Sequence, residues 1–248
     1  MSYRMMCLTA HPDDESGAFG GALLMAQDKG VETTVISLTE GAAGSFRGSA
    51  TSDEELAQLR RNEFNAAAKL LNLTHAEVLD YPDGKLDQQN FYELTGVLVE
   101  KIRKYRPQVV LTFGGDGGVN LHRDHTIASL TATAAFHWAG RPRFFPEAGA
   151  PYAPQKLYYS TTPWVSVFNS NEGAKAARVP YSLILELGPW KDRKIEAFAM
   201  HTTQHGVLER VRDFIDKHMN DERYLLVATR TPRPLTEDQA LFANVIED

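Results

Sequence analysis

Two short clusters of histidine and carboxylate side chains stand out as residues that can do chemistry. They are the run HPDDE at 11–15 and the run HRDH at 122–125. Imidazole and carboxylate ligands with one open position are typical of catalytic zinc, which lowers the pKa of its bound water to about 7. His11 and Asp14 can converge on one ion, and the second run offers a third ligand. We therefore predict a metal-dependent enzyme, with Zn2+ as the first candidate and Fe2+ or another divalent ion as the alternative.

Both clusters follow predicted β-strands. Four apolar, β-branched stretches alternate with segments of helical periodicity, as in βαβ units: 4–10, 31–39, 75–81 and 108–113. The first cluster ends the first strand, and the second follows the fourth strand through a glycine-rich loop. Because ligands bind beyond the carboxyl ends of parallel strands, the two clusters should meet at one sheet edge. We predict an α/β fold with a Rossmann-like, mostly parallel sheet and helices on both faces.

The remainder of the chain is predicted to belong to the same single domain, residues 1–248. Strands are expected at 157–160 and 181–188, followed by two helices and a last strand. The proline-rich and polar segment 141–178 is predicted to be a loop excursion. Four of its aromatic residues could stack on a sugar face, or pack against another copy of the chain in a homo-oligomer: Phe144, Phe145, Tyr152 and Trp164.

Composition excludes several classes of protein. The net charge of -6 and the absence of a basic stripe argue against a nucleic-acid partner. The single cysteine, Cys7, lies in an apolar run, which predicts core packing and a reducing compartment. No apolar run reaches the length of a membrane span, and no signal-peptide core is found at the N-terminus. We therefore expect a cytoplasmic protein with no membrane partner.

Each cluster also has an ordinary interpretation. An Asp-Asp-Glu run is typical of a solvated helix start, where acidic side chains favour the helix dipole. A lone His-x-x-His is usually a surface feature. The occurrence of both clusters directly after parallel strands favours the metal site.

Three sequence features together resemble the PIG-L/LmbE-like deacetylases, which remove acetyl groups from N-acetylglucosamine conjugates. These features are the segment AHPDDE at 10–15, the His-x-x-His at 122–125, and a helix between them with Arg60-x-x-Glu63. The resemblance covers residues 5 to about 130 and is weaker to about 205. It implies a small acetylated amino sugar conjugate as the substrate. The alternative is an amidase that acts on a non-sugar or thiol conjugate.

The resemblance also implies roles for individual residues. It makes His11, Asp14 and His125 the zinc ligands and Asp13 the general base. His122 would stabilise the oxyanion and assist the leaving amine, and Asp124 would orient a neighbouring histidine. On physical grounds, a protonated His122 could offset the negative charge of the tetrahedral intermediate. The family usually has proline at the position of Arg123, a departure that could alter the loop without removing either histidine.

Five further side chains are considered for the site. Arg60 and Glu63 fall within the apolar arc of the helix predicted at 53–71, where buried charges need partners. Arg60 is expected to face the substrate with Glu63 holding it, although the two could simply pair with each other. Asp83, in Pro-Asp-Gly, is either a turn residue or a substrate hydroxyl ligand. His201 and Gln204 are either site residues, as in the family, or a polar helix end.

Three other functions remain open at this point. A dinucleotide-binding oxidoreductase is disfavoured because acidic residues occupy the first turn and the spacing of the glycines at 17, 20 and 21 is not G-x-G-x-x-G. A non-heme iron oxygenase uses the same two histidines and one carboxylate, so spacing does not exclude it. A non-catalytic sugar-binding module would not need the spare carboxylate of Asp13.

Overall fold

The computed structural model describes residues 2–161, 180–231 and Phe242. These residues form one α/β domain around a seven-stranded sheet. The strands are β1 (Arg4–Thr9), β2 (Glu32–Thr39), β3 (His75–Tyr81), β4 (Val109–Phe113), β5 (Lys156–Ser160), β6 (Leu183–Glu186) and β7 (Asp221–Thr229). Their spatial order is β3-β2-β1-β4-β5-β7-β6. The predicted α/β fold is confirmed.

Seven helices are described around this sheet: α1 (Asp14–Gly17), α2 (Gly20–Asp28), α3 (Asp53–Leu70), α4 (Phe91–Tyr105), α5 (Arg123–Trp138), α6 (Trp190–Ala199) and α7 (His205–His218). Right-handed crossovers place α2 and α3 on one face and α4 and α5 on the other. The apolar periodicity of residues 87–106 predicts one helix from residue 87, but α4 begins only at Phe91, because Leu86–Gln88 forms a separate 3-10 turn. In the part of the chain that the structure describes, no helix is long and apolar enough to cross a membrane.

The strand order creates a crevice between β1 and β4. Strand β1 pairs in parallel with β2 on one side and with β4 on the other, so the chain winds away from β1 in both directions. Residues Met5 to Leu8 of β1 are completely buried, as expected for a central parallel strand covered on both faces. A sheet of this kind opens a ligand crevice at the carboxyl ends of the two strands where the order reverses.

The far side of the sheet is mixed. Strand β7 is antiparallel to both β5 and β6, so it runs against the direction of the other strands. Cys7, expected in the core, is buried. The same core continues from β1 through β4 and β5.

The first part of the predicted loop excursion is held by a buried arginine. Arg103 of α4 donates hydrogen bonds to five backbone carbonyl oxygens: those of Ala139, Arg141, Phe144, Phe145 and Gly149. Segment 141–155 is therefore folded onto the domain without regular structure, apart from the 3-10 turn Pro146–Ala148.

This packing corrects the expectation for the aromatic residues of the segment. Phe145 and Tyr152 are each only 7% exposed and belong to the core, so they cannot stack on a sugar or on another subunit. Phe144 stacks on Trp138, with ring centroids 4.8 Å apart. Trp164 lies outside the described residues.

Candidate metal centre

The two predicted clusters meet at the carboxyl ends of β1 and β4. After β1 ends, the Asp14 carboxylate turns back and accepts hydrogen bonds from the backbone N–H groups of Ala10 (3.1 Å) and His11 (2.7 Å). On the other side, His122 is the N-cap of α5 and His125 lies in its first turn. Local backbone geometry thus fixes both clusters on rigid element ends.

The atoms of one group lie close enough to share an ion. His11, Asp14 and His125 are buried, and each offers a ligand atom within 4.8 Å of the other two. One Asp14 oxygen is 3.6 Å from His11 Nδ1, and the other is 3.2 Å from His125 Nε2. These are the three residues predicted as metal ligands.

In each histidine ring, the outer nitrogen, which faces away from Asp14, contacts a hydrogen-bond acceptor. The inner nitrogen, which faces Asp14, is then the one with the lone pair. His125 Nδ1 lies 3.1 Å from the Gly117 carbonyl oxygen, which can only accept, so Nδ1 carries the hydrogen. His11 Nε2 lies between carboxylate oxygens of Asp83 (3.1 Å) and Asp124 (3.4 Å). In a neutral ring of either histidine, the inner nitrogen therefore presents its lone pair to the Asp14 carboxylate.

A cation would resolve this arrangement. Two nitrogen lone pairs and a carboxylate that face one another repel unless positive charge lies between them, and acceptors on the outer nitrogens are the usual support for ligating histidines. Burial alone would lower the pKa of His11, but its bonds to Asp124, Asp14 and Asp83 raise it well above its usual value. Burial alone would raise the pKa of Asp14, but His125 and His11 lower it well below its usual value. The residues fit a divalent ion with nitrogen and oxygen ligands.

A second group, His11, His122 and Asp124, has equally close atoms. Its carboxylate is already committed, however. Asp124 Oδ2 accepts from Gly84 N at 2.7 Å and Oδ1 accepts from Leu86 N at 3.2 Å. Asp124 is fully buried and its oxygens serve the backbone and His11, so we favour the Asp14 group as the metal centre.

Asp13 lies beside this centre in contact with Arg60. The guanidinium Nη2 donates to Asp13 Oδ2 at 2.9 Å and also to the Pro12 carbonyl, and Nη1 donates to the Gly41 carbonyl at 3.1 Å. Burial raises the pKa of Asp13, Arg60 opposes that rise, and neighbouring Asp14 adds to it, giving about 6. A carboxylate in this range can accept a proton near neutral pH.

His122 faces the same space from the other side. Its ring is 4.8 Å from that of His11, and its Nδ1 accepts the Asp124 backbone N–H at 3.1 Å. Nδ1 therefore carries no hydrogen and Nε2 does, which makes the ring a neutral donor. Burial, together with repulsion from His11 and His125, lowers its pKa. The geometry thus favours a neutral His122 over the protonated one expected from sequence.

Asp83 is turned towards His11. One of its oxygens faces His11 Nε2 and the other accepts the Ala43 N–H at 2.8 Å, which leaves the side chain only 7% exposed. Its predicted contact with a substrate hydroxyl stays a prediction. Asp124, predicted to orient a neighbouring histidine, faces His11 Nε2, and Asp83 faces the same nitrogen.

The expectation that Glu63 holds Arg60 is wrong. Both Glu63 oxygens are used by the turn after α6: Oε1 accepts from Thr202 Oγ1 (2.5 Å) and Thr203 N (2.8 Å), and Oε2 accepts from Thr203 Oγ1 (2.7 Å). Nor does Arg60 pair with Glu63, the other interpretation considered. Its carboxylate partner is Asp13.

One contact of the site had no sequence signal. His201 Nε2 lies 2.7 Å from Glu15 Oε1 although the residues are 186 positions apart. The sequence indicates only an acidic helix start at Glu15, and His201 is compatible with either a site residue or a polar helix end. Gln204 is buried in the same turn, and its side-chain amide donates to Thr203 Oγ1 at 3.3 Å.

The fold and this cluster define a Rossmann-like α/β protein whose strand ends can hold a metal ion. The chain belongs to the deacetylase family described as PIG-L: GlcNAc-PI de-N-acetylase, whose sequence model matches residues 6–136. The resemblance inferred from the sequence motifs is therefore confirmed.

Named relatives come from several organisms. The chain is 31% identical over 178 residues to a mycothiol S-conjugate amidase of Streptomyces coelicolor, covering 63% of this chain and 60% of the relative. It is 32% identical over 182 residues to a 1D-myo-inositol 2-acetamido-2-deoxy-alpha-D-glucopyranoside deacetylase of Streptomyces avermitilis, covering 64% and 62%. The aligned segments thus span about three fifths of these relatives.

A solved structure supports the fold. The chain superposes on an N,N'-diacetylchitobiose deacetylase from Pyrococcus horikoshii with a TM-score of 0.74, covering 91% of this chain and 84% of that one. The sequence identity is 21%, so this likeness shows the fold alone.

Proposed function

We propose that the protein is a cation-dependent hydrolase that removes the acetyl group from an N-acetylated amino sugar conjugate. The observation that carries this proposal is the arrangement of His11, Asp14 and His125, whose inner lone pairs face one carboxylate with Asp13 beside them. A site with three ligands and one spare carboxylate suits hydrolysis, because the spare carboxylate can take a proton from the attacking water.

Zinc is the proposed ion, since two imidazoles and one carboxylate are the donor set of catalytic zinc, and Fe2+ fits the same donors. When bound, the cation would polarise the amide carbonyl and make water a better nucleophile at neutral pH. Asp83 and Asp124 would keep the His11 ring oriented through its Nε2. The Gly117 carbonyl would do the same for His125.

Asp13 is proposed as the general base. Its carboxylate accepts one proton of the attacking water while the new carbon–oxygen bond forms. Arg60 holds one carboxylate oxygen at 2.9 Å and so limits the rotation of the side chain. The proton then passes to the leaving nitrogen as the carbon–nitrogen bond breaks, which yields acetate and the free amine.

His122 is proposed to stabilise the charge that develops on the carbonyl oxygen. Its Nε2–H is available because Nδ1 accepts the Asp124 backbone N–H. A fixed neutral donor of this kind stabilises an oxyanion without the reorganisation that solvent would need. The same N–H can support the departing amine.

The substrate class is inferred from the family and the relatives. The family description names a GlcNAc-containing lipid, and the Streptomyces avermitilis relative acts on an acetamido sugar linked to inositol. The amidase from Streptomyces coelicolor supplies the second candidate, cleavage of an amide in a thiol conjugate. A soluble acetylated sugar agrees with the net charge of -6, which favours no polyanionic partner.

The test combines elemental analysis with an acetate-release screen. Purified protein, reconstituted with zinc or with Fe2+ under anaerobic conditions, is offered the acetamido inositol glucoside, diacetylchitobiose and a mycothiol S-conjugate. We expect acetate from at least one sugar and a release about 100- to 10,000-fold slower from Asp13→Asn, which should retain its metal. Amine release from the thiol conjugate alone would favour the amidase. Oxygen consumption without hydrolysis would overturn the proposal.

A further inference from the structure

Asp13 has a backbone conformation that needs external support. Its φ is 116°, whereas the other non-glycine residues with positive φ in the described chain lie between 48° and 57°. Those values fall in or at the edge of the left-handed helical region, but 116° lies well outside it. A strained residue of this kind costs about 1–3 kcal/mol and persists only where neighbouring groups determine it.

Two side chains fix Asp13 directly. The Asp13 N–H donates to Glu15 Oε2 at 2.9 Å, and the Asp13 carboxylate accepts from Arg60 Nη2 at 2.9 Å. The first bond fixes the backbone and the second fixes the side chain. Arg60 also donates to the Pro12 carbonyl, so both the C=O and the N–H of the Pro12–Asp13 peptide group are held.

Glu15 is in turn held by His201. Glu15 Oε1 lies 2.7 Å from His201 Nε2 and accepts from Ser16 Oγ at 2.6 Å. Both members of the pair are completely buried. The contact with His201 therefore fixes one oxygen of the Glu15 carboxylate, while the other oxygen accepts the Asp13 N–H.

The turn that carries His201 is anchored to the helix that carries Arg60. Glu63, one turn along α3 from Arg60, accepts the Thr202 hydroxyl and both the N–H and hydroxyl of Thr203. The two supports of Asp13 are thus connected. One reaches it from α3 through Arg60, and the other reaches it from the 201–204 turn through Glu15.

We propose that Glu15 and His201 are positioning residues, which hold Asp13 in its strained conformation with its carboxylate beside the metal ligands. This inference rests on the proposed function in one respect, namely that Asp13 is the base. The pair touches no reacting atom. Its effect passes through the Asp13 backbone N–H.

The first test separates turnover from binding. Glu15→Ala removes the acceptor of the Asp13 N–H, and misplacement by about 1 Å can cost on the order of 100-fold in rate. We expect kcat to fall roughly 10- to 100-fold, with KM and metal content close to those of the parent. Glu15→Gln, which keeps an oxygen for the Asp13 N–H and an N–H for a neutral His201, should recover most of the rate. His201→Gln should lie between them.

The matched control is Glu222→Gln. Glu222 is another fully buried carboxylate in an ion pair, with Lys194 at 2.6 Å, and it has no bond to Asp13. Its loss should lower thermal stability and leave kcat per folded molecule unchanged. If this control lowers kcat as much as Glu15→Ala does, the effect is one of general destabilisation and the proposal is wrong.

Two further measurements keep the proposal falsifiable. In an Asp13→Asn background, Glu15→Ala should cause no further loss of rate, because it acts through Asp13. An equal loss in both backgrounds, or loss of metal from Glu15→Ala, would overturn the proposal. Amide hydrogen exchange at Asp13 gives a readout without turnover, and should accelerate in Glu15→Ala but not in Glu222→Gln.

Failure of the proposed function would look different. If wild-type protein releases no acetate or amine from any substrate, the hydrolase proposal fails, and the exchange rate of the Asp13 N–H still decides whether Glu15 holds it. If the exchange rate of the Asp13 N–H is unchanged in both Glu15→Ala and His201→Gln, the positioning role is contradicted, whatever the activity. Should Glu15→Ala fail to fold, Glu15→Gln and His201→Gln carry the same comparison.

Discussion

Glu15 and Glu222 are both fully buried carboxylates, and each lies within hydrogen-bond distance of a buried basic side chain. Glu15 pairs with His201 at 2.7 Å, and Glu222 pairs with Lys194 at 2.6 Å. Each also accepts at least one backbone N–H. By burial, charge and distance the two centres are nearly the same, yet their remaining partners differ.

The partners of Glu222 are all structural. It accepts from the N–H groups of Gly21 (2.7 Å) and Ala22 (2.9 Å) in the first turn of α2, and from the Tyr224 hydroxyl at 2.6 Å. It therefore neutralises the amino end of α2 and joins that helix to β7. A carboxylate already occupies the helix end that would bind the pyrophosphate of a dinucleotide, which weakens the oxidoreductase alternative.

Glu15 differs from Glu222 because one of its partners is Asp13, whose own carboxylate faces the proposed metal ligands. The comparison teaches that burial of a charge does not mark a functional residue. A buried charge is functional when its hydrogen bonds lead to a strained residue of the site, and structural when they end within the scaffold. The following predictions test that distinction.

Removal of the cation should have the largest effect, and only on the Glu15 side. Dialysis against a chelator should reduce acetate release to background, and added Zn2+ should restore it, because the cation polarises the amide. Hydrogen exchange should rise around His11 and His125, whose lone pairs then face Asp14 without a cation. Equal acceleration around Glu222 would contradict the separation of the two centres.

Asp13→Asn should have the next largest effect. Loss of a general base typically costs about 100- to 10,000-fold in rate. Because Asp13 is not a proposed ligand, the variant should bind metal as wild type does, whereas His125→Ala should not. Metal content by elemental analysis and kcat on the same preparations check both statements.

Glu222→Ala should destabilise the protein without changing turnover. Breaking a buried pair leaves Lys194 charged and uncompensated, which costs about 3–5 kcal/mol of the free energy of unfolding. Urea unfolding measures this loss, and kcat per folded molecule at a temperature well below the transition should equal that of wild type. A reduced kcat would show that the Glu222–Lys194 pair also supports the site.

Two glycine substitutions repeat the comparison at smaller scale. A Cβ at Gly41, whose φ is +70°, would lie 2.4 Å from Arg60 Nη1, and one at Gly21 would lie 2.2 Å from Leu187 Cδ2. Each alanine substitution should cost about 1–3 kcal/mol of stability through overpacking. Only Gly41→Ala should also lower kcat, by about 10-fold, since it displaces the arginine that holds Asp13.

The smallest effect is expected from Glu77, a partly exposed carboxylate of β3. Burial would raise its pKa, but hydrogen bonds from Lys101 and Tyr105 lower it to about 2. It therefore stabilises the fold above pH 4.5, and this contribution, on the order of 1 kcal/mol after screening, is lost as pH falls towards 2. Glu77→Gln should unfold at lower urea concentration than wild type at pH 7, and the difference should shrink by pH 3.

Local sequence patterns predicted much of the fold and the metal centre. Alternating apolar segments placed β1 to β4, and the rule that ligands bind at strand ends brought His11 and His125 together. The predicted start of the helix at 87 was less accurate, because Leu86–Gln88 forms a separate 3-10 turn before the helix.

Partners far apart in sequence were not predictable. Helical periodicity showed that Arg60 and Glu63 face the interior, but a face does not specify which residue lies opposite. Glu63 finds its partners at 202 and 203, and Glu15 finds His201. The burial of Phe145 was not predictable for a similar reason. Arg103 donates hydrogen bonds to carbonyl oxygens of the loop that carries Phe145, and this loop has no periodic pattern.

The position of His201 has a consequence for the order in which the chain is made. All three proposed ligands have been synthesised by residue 125, whereas the imidazole that supports Glu15 follows only after β5 and β6. A nascent chain that folds from its N-terminus would present the ion-binding residues before Asp13 is held in place. Ion capture would then precede full catalytic competence during biosynthesis.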